Sequence, residues 1–424
     1  MKQKKIHTEV TSEIGDLEAV IVHTPGREVE NMTPTNAEKA LYSDILNLDI
    51  AKHEHSQLKG VLGKTAKVFE IKELLEDILS NKKVKKDLIN KICHNENKVR
   101  VMDYMMDLDS ERLAKELLEG VPLLKNSLTR FISDEKYALR PLPNFFFTRD
   151  SASCVNNSVI INKMANQVRE RESIIMESIF ENSSYLKSET INPAKGFDKN
   201  ENLEEVLTEG GDILVAREDI LLVGCGSRTS TQGIDYLIED LKRKKVKKHV
   251  IVQQLPHQPE SFIHLDMVFT LLDRDRCMVY QPLILQDNRY RTIHIKVDNG
   301  KVKAINYVQS IISILKDLGM DLKPLYCGGR NDSWTMEREQ WHSGANFFAM
   351  GPGKVIGYAR NNATIEELNK DGFEVIKAFD VINNKVDLSN FNKFVVTLEG
   401  SELPRGGGGG RCMTMPIKRK NIVW

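Results

Sequence analysis

Cys412 closes the segment Arg405 to Cys412, RGGGGGRC, and is the residue in this chain best placed to act as a nucleophile. Five consecutive glycines, Gly406 to Gly410, open backbone conformations closed to other residues and let a ligand approach the main chain. A thiol at the end of such a loop, beside the cation of Arg411, has the setting in which a lowered pKa yields a reactive thiolate. The competing reading is a buried structural cysteine, the usual fate of the residue. That reading is kept for the other five, Cys93, Cys154, Cys225, Cys277 and Cys327. A phosphate loop would require GxxxxGK[ST] ahead of a helix, whereas Met-Thr-Met-Pro follows here.

Three further segments set ionisable residues among glycines or at the ends of apolar runs: PNFFFTRD (143–150), EGGD (209–212) and HLD (264–266). His264 and Asp266 stand at i and i+2, so in a strand both side chains point to one side. A histidine there is a proton shuttle or a satisfied structural group. Glu209 is either the carboxylate that orients such a histidine or a solvated turn residue. Asp150 follows three phenylalanines, Phe145 to Phe147, and has Arg149 beside it as a potential neutralising partner. One Cys, one His, one Glu and two or more Asp exceed what cysteine proteolysis requires. Surplus carboxylates point to a cationic substrate, and a planar guanidinium is the cation that carboxylates bind in bidentate fashion.

Loops bearing such residues need strands to hold them. The chain repeats one order: an apolar run, a tight turn, a second apolar run, an amphipathic helix and a returning run. The clearest copy is the hairpin DILVAREDILLVGC, the helix STQGIDYLIEDLKRKK and the strand HVIVQQL. Others begin at SVIIN, followed by the helix QVRERESIIMESIF, and at NFFAM, followed by VIGYA, ATIEELNKDG and FEVIK. LEAVIVH with KVFEI, and CMVYQPLIL to Asp321, suggest two more. About five α/β units are predicted around an axis. From Glu73 to Glu119 there is neither Gly nor Pro, and Leu and Ile recur at helical spacing. The predicted division is therefore 1–72 and 141–424 as one α/β domain, with 73–140 as an inserted helical subdomain.

Sixty basic residues balance sixty acidic ones. Such a balance provides no field to attract nucleic acid or an anionic membrane. No apolar run reaches signal-peptide or membrane-spanning length. The cysteines form no CxxC pair and no Cys/His cluster at zinc spacing, which suits a reducing cytoplasm.

At the four site segments the chain resembles the arginine deiminases, a guanidine-modifying family. The likeness extends to IGDLEAVIVHTPGREVENMTP, INKMANQVRERE, GSRTS, REQWHSGANFFAMGPGKVIGYARN and RCMTMP, in matching order along nearly the whole chain. It implies a five-bladed, pseudo-symmetric α/β propeller of ββαβ-type modules carrying a helical insertion. It also implies hydrolysis of L-arginine to L-citrulline and ammonia through a covalent Cys thiouronium intermediate. Cys412 would be the nucleophile, His264 the proton carrier and Glu209 the residue that orients it. Asp150 and Asp266 would bind the guanidinium nitrogens, and Phe147 would line the aliphatic stem. Asn144, Arg169 and Arg228 would meet the amino-acid head group, with Asp212 in support. The resemblance implies no cofactor, a small-molecule substrate as partner and a homo-oligomer. Two features depart from the family pattern. Gly407 stands where some members carry an arginine five residues before the nucleophile, and Ser151-Ala152 replaces the more usual proline-containing continuation. Agmatine and methylarginine hydrolases, amidinotransferases and a non-catalytic arginine binder are the rival readings. Arg169 and Arg228 argue against agmatine, which has no carboxylate, and the helical insertion argues against the smaller methylarginine hydrolases.

Overall fold

The apolar runs fold into five mixed sheets in the computed structural model, which describes residues 5–33, 37, 41, 42, 44–195, 205–330 and 332–424. The end of the N-terminal family motif, at Pro34, lies outside the described residues. In each sheet an inner strand pairs antiparallel with one neighbour and parallel with another. β1 (Leu17–Val22) leads through the helix α1 (Leu48–Leu62) to the parallel strand β2 (Lys67–Glu70). The hairpin of β3 (Ala152–Val155) and β4 (Ser158–Ile161) continues through α2 (Glu170–Asn182) to β5 (Glu189–Ile191). β6 (Ile213–Arg217) and β7 (Ile220–Cys225) are followed by α3 (Thr231–Arg243) and β8 (Lys248–Gln254), as the sequence pattern indicates. β7, ILLVGC, is apolar almost throughout because both of its faces are covered.

The two later units differ from the sequence expectation in which strands become neighbours. β9 (Phe269–Asp273) and β10 (Arg276–Val279) are followed by a hairpin, β11 (Thr292–Asp298) and β12 (Lys301–Val308). That hairpin leaves its own unit and extends the third sheet from the edge of β8. The fourth unit then resumes with α4 (Ile311–Asp317) and β13 (Lys323–Tyr326), parallel to β10. In the fifth, β14 (Phe348–Gly351), β15 (Lys354–Tyr358) and α5 (Asn362–Lys370) precede β16 (Glu374–Lys377). The place beside β15 is taken by β17 (Phe394–Leu398), and β16, the FEVIK run, is displaced to the edge. Finally β18 (Met415–Arg419) returns to pair antiparallel with β1, so the two ends of the chain complete one sheet. Local periodicity identifies a strand but carries no information on its partner.

The Gly- and Pro-free region forms helices at Ile71–Leu79, Lys82–Asn95 and Ser110–Glu119. The first begins two residues before the expected boundary at 73. Asn81 and Asp109 cap the second and third by accepting from Val84 N and Arg112 N. Their buried faces, including Leu74, Ile78, Ile89, Leu113 and Leu117, share one apolar cluster with Ala19 and Ile21 of β1, Ile161 of β4 and Ile175 of α2. These helices therefore pack on the sheets without a core of their own.

One regularity positions the site. Each sheet has a strand that leads into its antiparallel pair, and the residues just before that strand are the ones singled out by chemistry: Asp150 before β3, Glu209 and Asp212 before β6, His264 and Asp266 before β9, and Cys412 before β18. The fifth sheet supplies Asn346 before β14.

Candidate active site

The loop residues meet in a buried cluster. Cys412, His264, Asp150, Asp266 and Glu209 are each no more than 3 % exposed. His264 Nε2 lies 2.8 Å from Glu209 Oε2, and its Nδ1 lies 3.8 Å from Asp150 Oδ1. Burial alone would favour the neutral ring. The charge of Asp150, the hydrogen bond to Glu209 and the charge of Asp212 outweigh burial and raise the His264 pKa to about 9. Glu209 is held low in turn, against its burial, by the His264 hydrogen bond and by Arg228, 3.7 Å away. The pair is therefore an imidazolium–carboxylate pair at neutral pH. Asp150, Glu209 and His264 each offer one ligand atom within 4.8 Å of the others, a spacing that suits a cation. A metal would require the neutral ring, and the carboxylates on both sides favour a proton instead.

Cys412 Sγ stands 3.7 and 3.9 Å from the two oxygens of Asp266. Burial, then the negative charges of Asp266 and Asp150, push its pKa well above the ordinary thiol value, and Arg411 only partly opposes them. The thiol is therefore protonated when the pocket is empty, the reverse of what the glycine loop and adjacent arginine suggest from sequence. The loop geometry is also more specific than a flexible run. Within Gly406 to Gly410 only Gly407 has a left-handed backbone, with φ of 86°, and space beyond it is open. Gly408 and Gly409 are glycines because Phe147 and Asn346 pack against their α-carbons.

A family model described as arginine deiminase matches residues 38–419. A relative named arginine deiminase from Listeria monocytogenes is 34% identical over 100% of both chains. The chain belongs to the arginine deiminase family. Another such relative, from Bacillus cereus, is 32% identical over 97% of this chain and 98% of its own. With the family comes the enzyme class, hydrolases acting on carbon–nitrogen bonds of linear amidines. Two solved structures share the mixed α/β fold. One is an amidinotransferase of Microseira wollei from the saxitoxin biosynthetic pathway, with a TM-score of 0.51 and 14% identity, covering 98% of both chains. The other is the N-terminal domain of a cyanobacterial arginine dihydrolase, with a TM-score of 0.51 and 13% identity over 95% of this chain and 98% of that one. Among the described residues no helix is long and apolar enough to cross a membrane.

The residues that resemblance assigns to substrate binding occupy different settings. Arg169 is buried in ion pairs: Nη1 is 2.7 Å from Asp150 Oδ2, while Nε and Nη2 clasp Glu172 at 3.1 and 2.8 Å. Its Nη2 also donates to the Asn144 carbonyl at 3.3 Å. Four of its five N–H donors are thereby engaged, which makes it a brace for Asp150 in this structure. The side chain of Arg228 is 15% exposed and is the more open of the two cations. Phe147 lies under the glycine loop. Asp212 accepts from Leu265 N at 2.9 Å, next to His264, and burial raises its pKa to about 7.

Sequence reasoning gave no role to two residues that join these loops. Asn346 Oδ1 accepts from the backbone N–H groups of Arg411 and Cys412 at 3.0 and 3.2 Å, and its Nδ2 donates to the Asp266 carbonyl at 3.1 Å. Glu13 receives Arg411. The GANFF run contains Asn346, but a lone amide carries no chemical signature of its own.

Proposed function

We propose that this protein hydrolyses L-arginine to L-citrulline and ammonia on a five-bladed α/β propeller, with Cys412 as nucleophile. The supporting observation is the meeting, in one buried cluster, of Cys412 with two carboxylates and a carboxylate-bound imidazolium. The five sheets with a common strand order, each presenting its pre-strand loop, support the propeller reading.

Each substrate-binding carboxylate is held by one oxygen: Asp150 Oδ2 by Arg169 and Asp266 Oδ2 by Arg411. Their Oδ1 atoms are left to receive the paired N–H donors of a guanidinium. Binding adds a positive charge beside Cys412 and reverses the electrostatics that hold the thiol protonated. The substrate thus promotes loss of the thiol proton to solvent, giving the thiolate that attacks it. Sulfur adds to the guanidinium carbon, giving a tetrahedral adduct. His264 donates its proton to one amino nitrogen, the carbon–nitrogen bond breaks and ammonia leaves, with the carbon bound to sulfur as a thiouronium. Neutral His264 then takes a proton from water as its oxygen adds to that carbon. Breaking the carbon–sulfur bond, with loss of the added hydroxyl's proton to solvent, releases citrulline and restores the thiolate. Arg228 faces the substrate carboxylate, and the Phe147 ring faces the methylene stem.

The test is citrulline and ammonia production by the purified chain, with Cys412→Ala as control and agmatine and methylarginine beside arginine. Absence of product from wild type overturns the activity. Product from Cys412→Ala removes that residue from the chemistry, and faster turnover of agmatine reassigns the substrate.

A further inference from the structure

Arg411 is one of the largest fully buried side chains, at 1% exposure, and its guanidinium joins two carboxylates from distant parts of the chain. Its Nη1 donates to Asp266 Oδ2 at 2.7 Å. Nε and Nη2 form a bidentate pair with Glu13 at 2.9 and 3.1 Å, and Nη2 also donates to the Ile213 carbonyl at 2.8 Å. Glu13 is itself fixed against β6, its N–H donating to the Val215 carbonyl at 2.8 Å and its Oε1 accepting from Val215 N at 3.3 Å.

We propose that Glu13 and Arg411 are a positioning pair for the active site: Arg411 fixes Asp266 against Cys412, and Glu13 cancels the Arg411 charge so that the pocket stays attractive to a cation. Neither touches the reacting atoms. An unscreened guanidinium beside Asp266 would neutralise the carboxylate meant for the substrate and would stabilise the thiolate in the empty pocket. Buried charges interact strongly enough for one uncancelled cation to matter. Arg411, Arg149 and Arg419 face Glu13, whose pKa falls to about 2 because these cations outweigh its burial. Asp266, Asp150 and Arg411 are the charged groups that act on Cys412. Asp266 thus stands with both oxygens near the sulfur, at 3.7 and 3.9 Å, and the nearer one, Oδ2, is the one that Arg411 holds.

The inference rests on the arginine-hydrolase reading, but its test separates from it. Glu13→Gln keeps the size and an acceptor oxygen and removes the charge. Two readouts are followed: KM for arginine, and the pH profile of iodoacetamide alkylation at Cys412, read on its own peptide by mass spectrometry. The alkylation needs no turnover, so it remains informative even if wild type proves inactive on arginine. In Glu13→Gln the KM is expected to rise about tenfold and the alkylation profile to move about one pH unit lower. Arg411→Lys keeps the charge and loses the fork. Its KM is expected to rise with the alkylation profile unmoved. A folded Glu13→Gln with a wild-type alkylation profile overturns the proposal, whatever its KM, because a purely structural role leaves the thiol's ionisation alone. If Glu13→Gln does not fold, an unchanged KM in Arg411→Lys overturns it.

Discussion

Gly211 lies beneath the His264 ring, and an alanine there tests whether the ring's placement is as exacting as the proposed chemistry requires. A β-carbon on Gly211 would stand 2.5 Å from His264 Cγ, 2.9 Å from its Cβ and closer still to Nδ1. Gly211 is absent from the left-handed residues, so its backbone accepts alanine and the effect is one of contact alone. Carbon atoms in contact sit about 3.5 Å apart, so the ring must retreat by about 1 Å. The 2.8 Å bond from Nε2 to Glu209 does not survive such a shift toward 3.6 Å or beyond. Two consequences follow. Misplacing a catalytic group by 1 Å costs about 10²-fold in rate. Leaving a buried carboxylate short of its partner costs about 1–3 kcal/mol of stability. The assay is kcat for citrulline formation, with the thermal midpoint of the same variant. Gly410→Ala is the control, since a β-carbon there meets nothing nearer than 3.5 Å, and near wild-type turnover is expected. If Gly211→Ala retains kcat within about threefold of wild type, a magnitude far below that expected for a 1 Å error, His264 is not the proton carrier in the pose described.

Other expectations concern pH, recognition and stability. Because carboxylates raise the His264 pKa to about 9, activity should fall as pH rises through that value. Glu209→Gln should move the alkaline limb to lower pH, and an unmoved limb would contradict the coupling. The same sign governs stability: the His264–Glu209 contribution is whole below the ordinary histidine pKa and is lost as pH rises through about 9, measurable as a falling thermal midpoint in wild type but not in His264→Gln. The Cys412 thiolate, followed by ultraviolet absorbance against Cys412→Ala, should form only above the ordinary thiol pKa in the free protein. A neutral value would remove the need for substrate assistance. Arg228→Ala should raise KM for arginine more than for agmatine, because its loss from beside Glu209 acts on both substrates and its loss as a carboxylate partner acts on arginine alone; an equal change for both would refute the carboxylate contact. Asp371 pairs with Arg276, Lys323 and Lys393 and with none of the site residues, so Asp371→Asn should cost about 1–3 kcal/mol of stability, read as a lower thermal midpoint, with kcat unchanged.

Much of the site was legible because its residues announce themselves locally. Glu209 precedes two glycines, His264 and Asp266 flank one leucine, and Cys412 ends a glycine run. The strand expected at His264 and Asp266 is instead a 3-10 turn, Leu265–Met267, ahead of β9, so the i, i+2 strand argument does not account for their meeting. Each sits where an apolar strand is about to begin, and strand starts are read from patterning. Glu13 was not legible, being one carboxylate among many, made functional only by an arginine 398 positions away. Nor was the state of Cys412, since nothing adjacent in sequence shows that Asp150 and Asp266 will stand around the sulfur while burial removes water.

The sequence by itself determined much of the units and their contents: the hairpins and helices that recur along the chain, which loops carry ionisable groups, and the family to which these motifs belong, though not the strands β11, β12 and β17. Such properties depend on residue types at short spacing. Only the tertiary structure decided the partnerships: β18 closing on β1, β17 displacing β16, the β11–β12 hairpin crossing to the third sheet, and Arg169 bracing Asp150. Those outcomes depend on which surfaces meet after the chain has folded, and so do the protonation of His264 and of Cys412, because Coulomb interactions act across space and not along the chain.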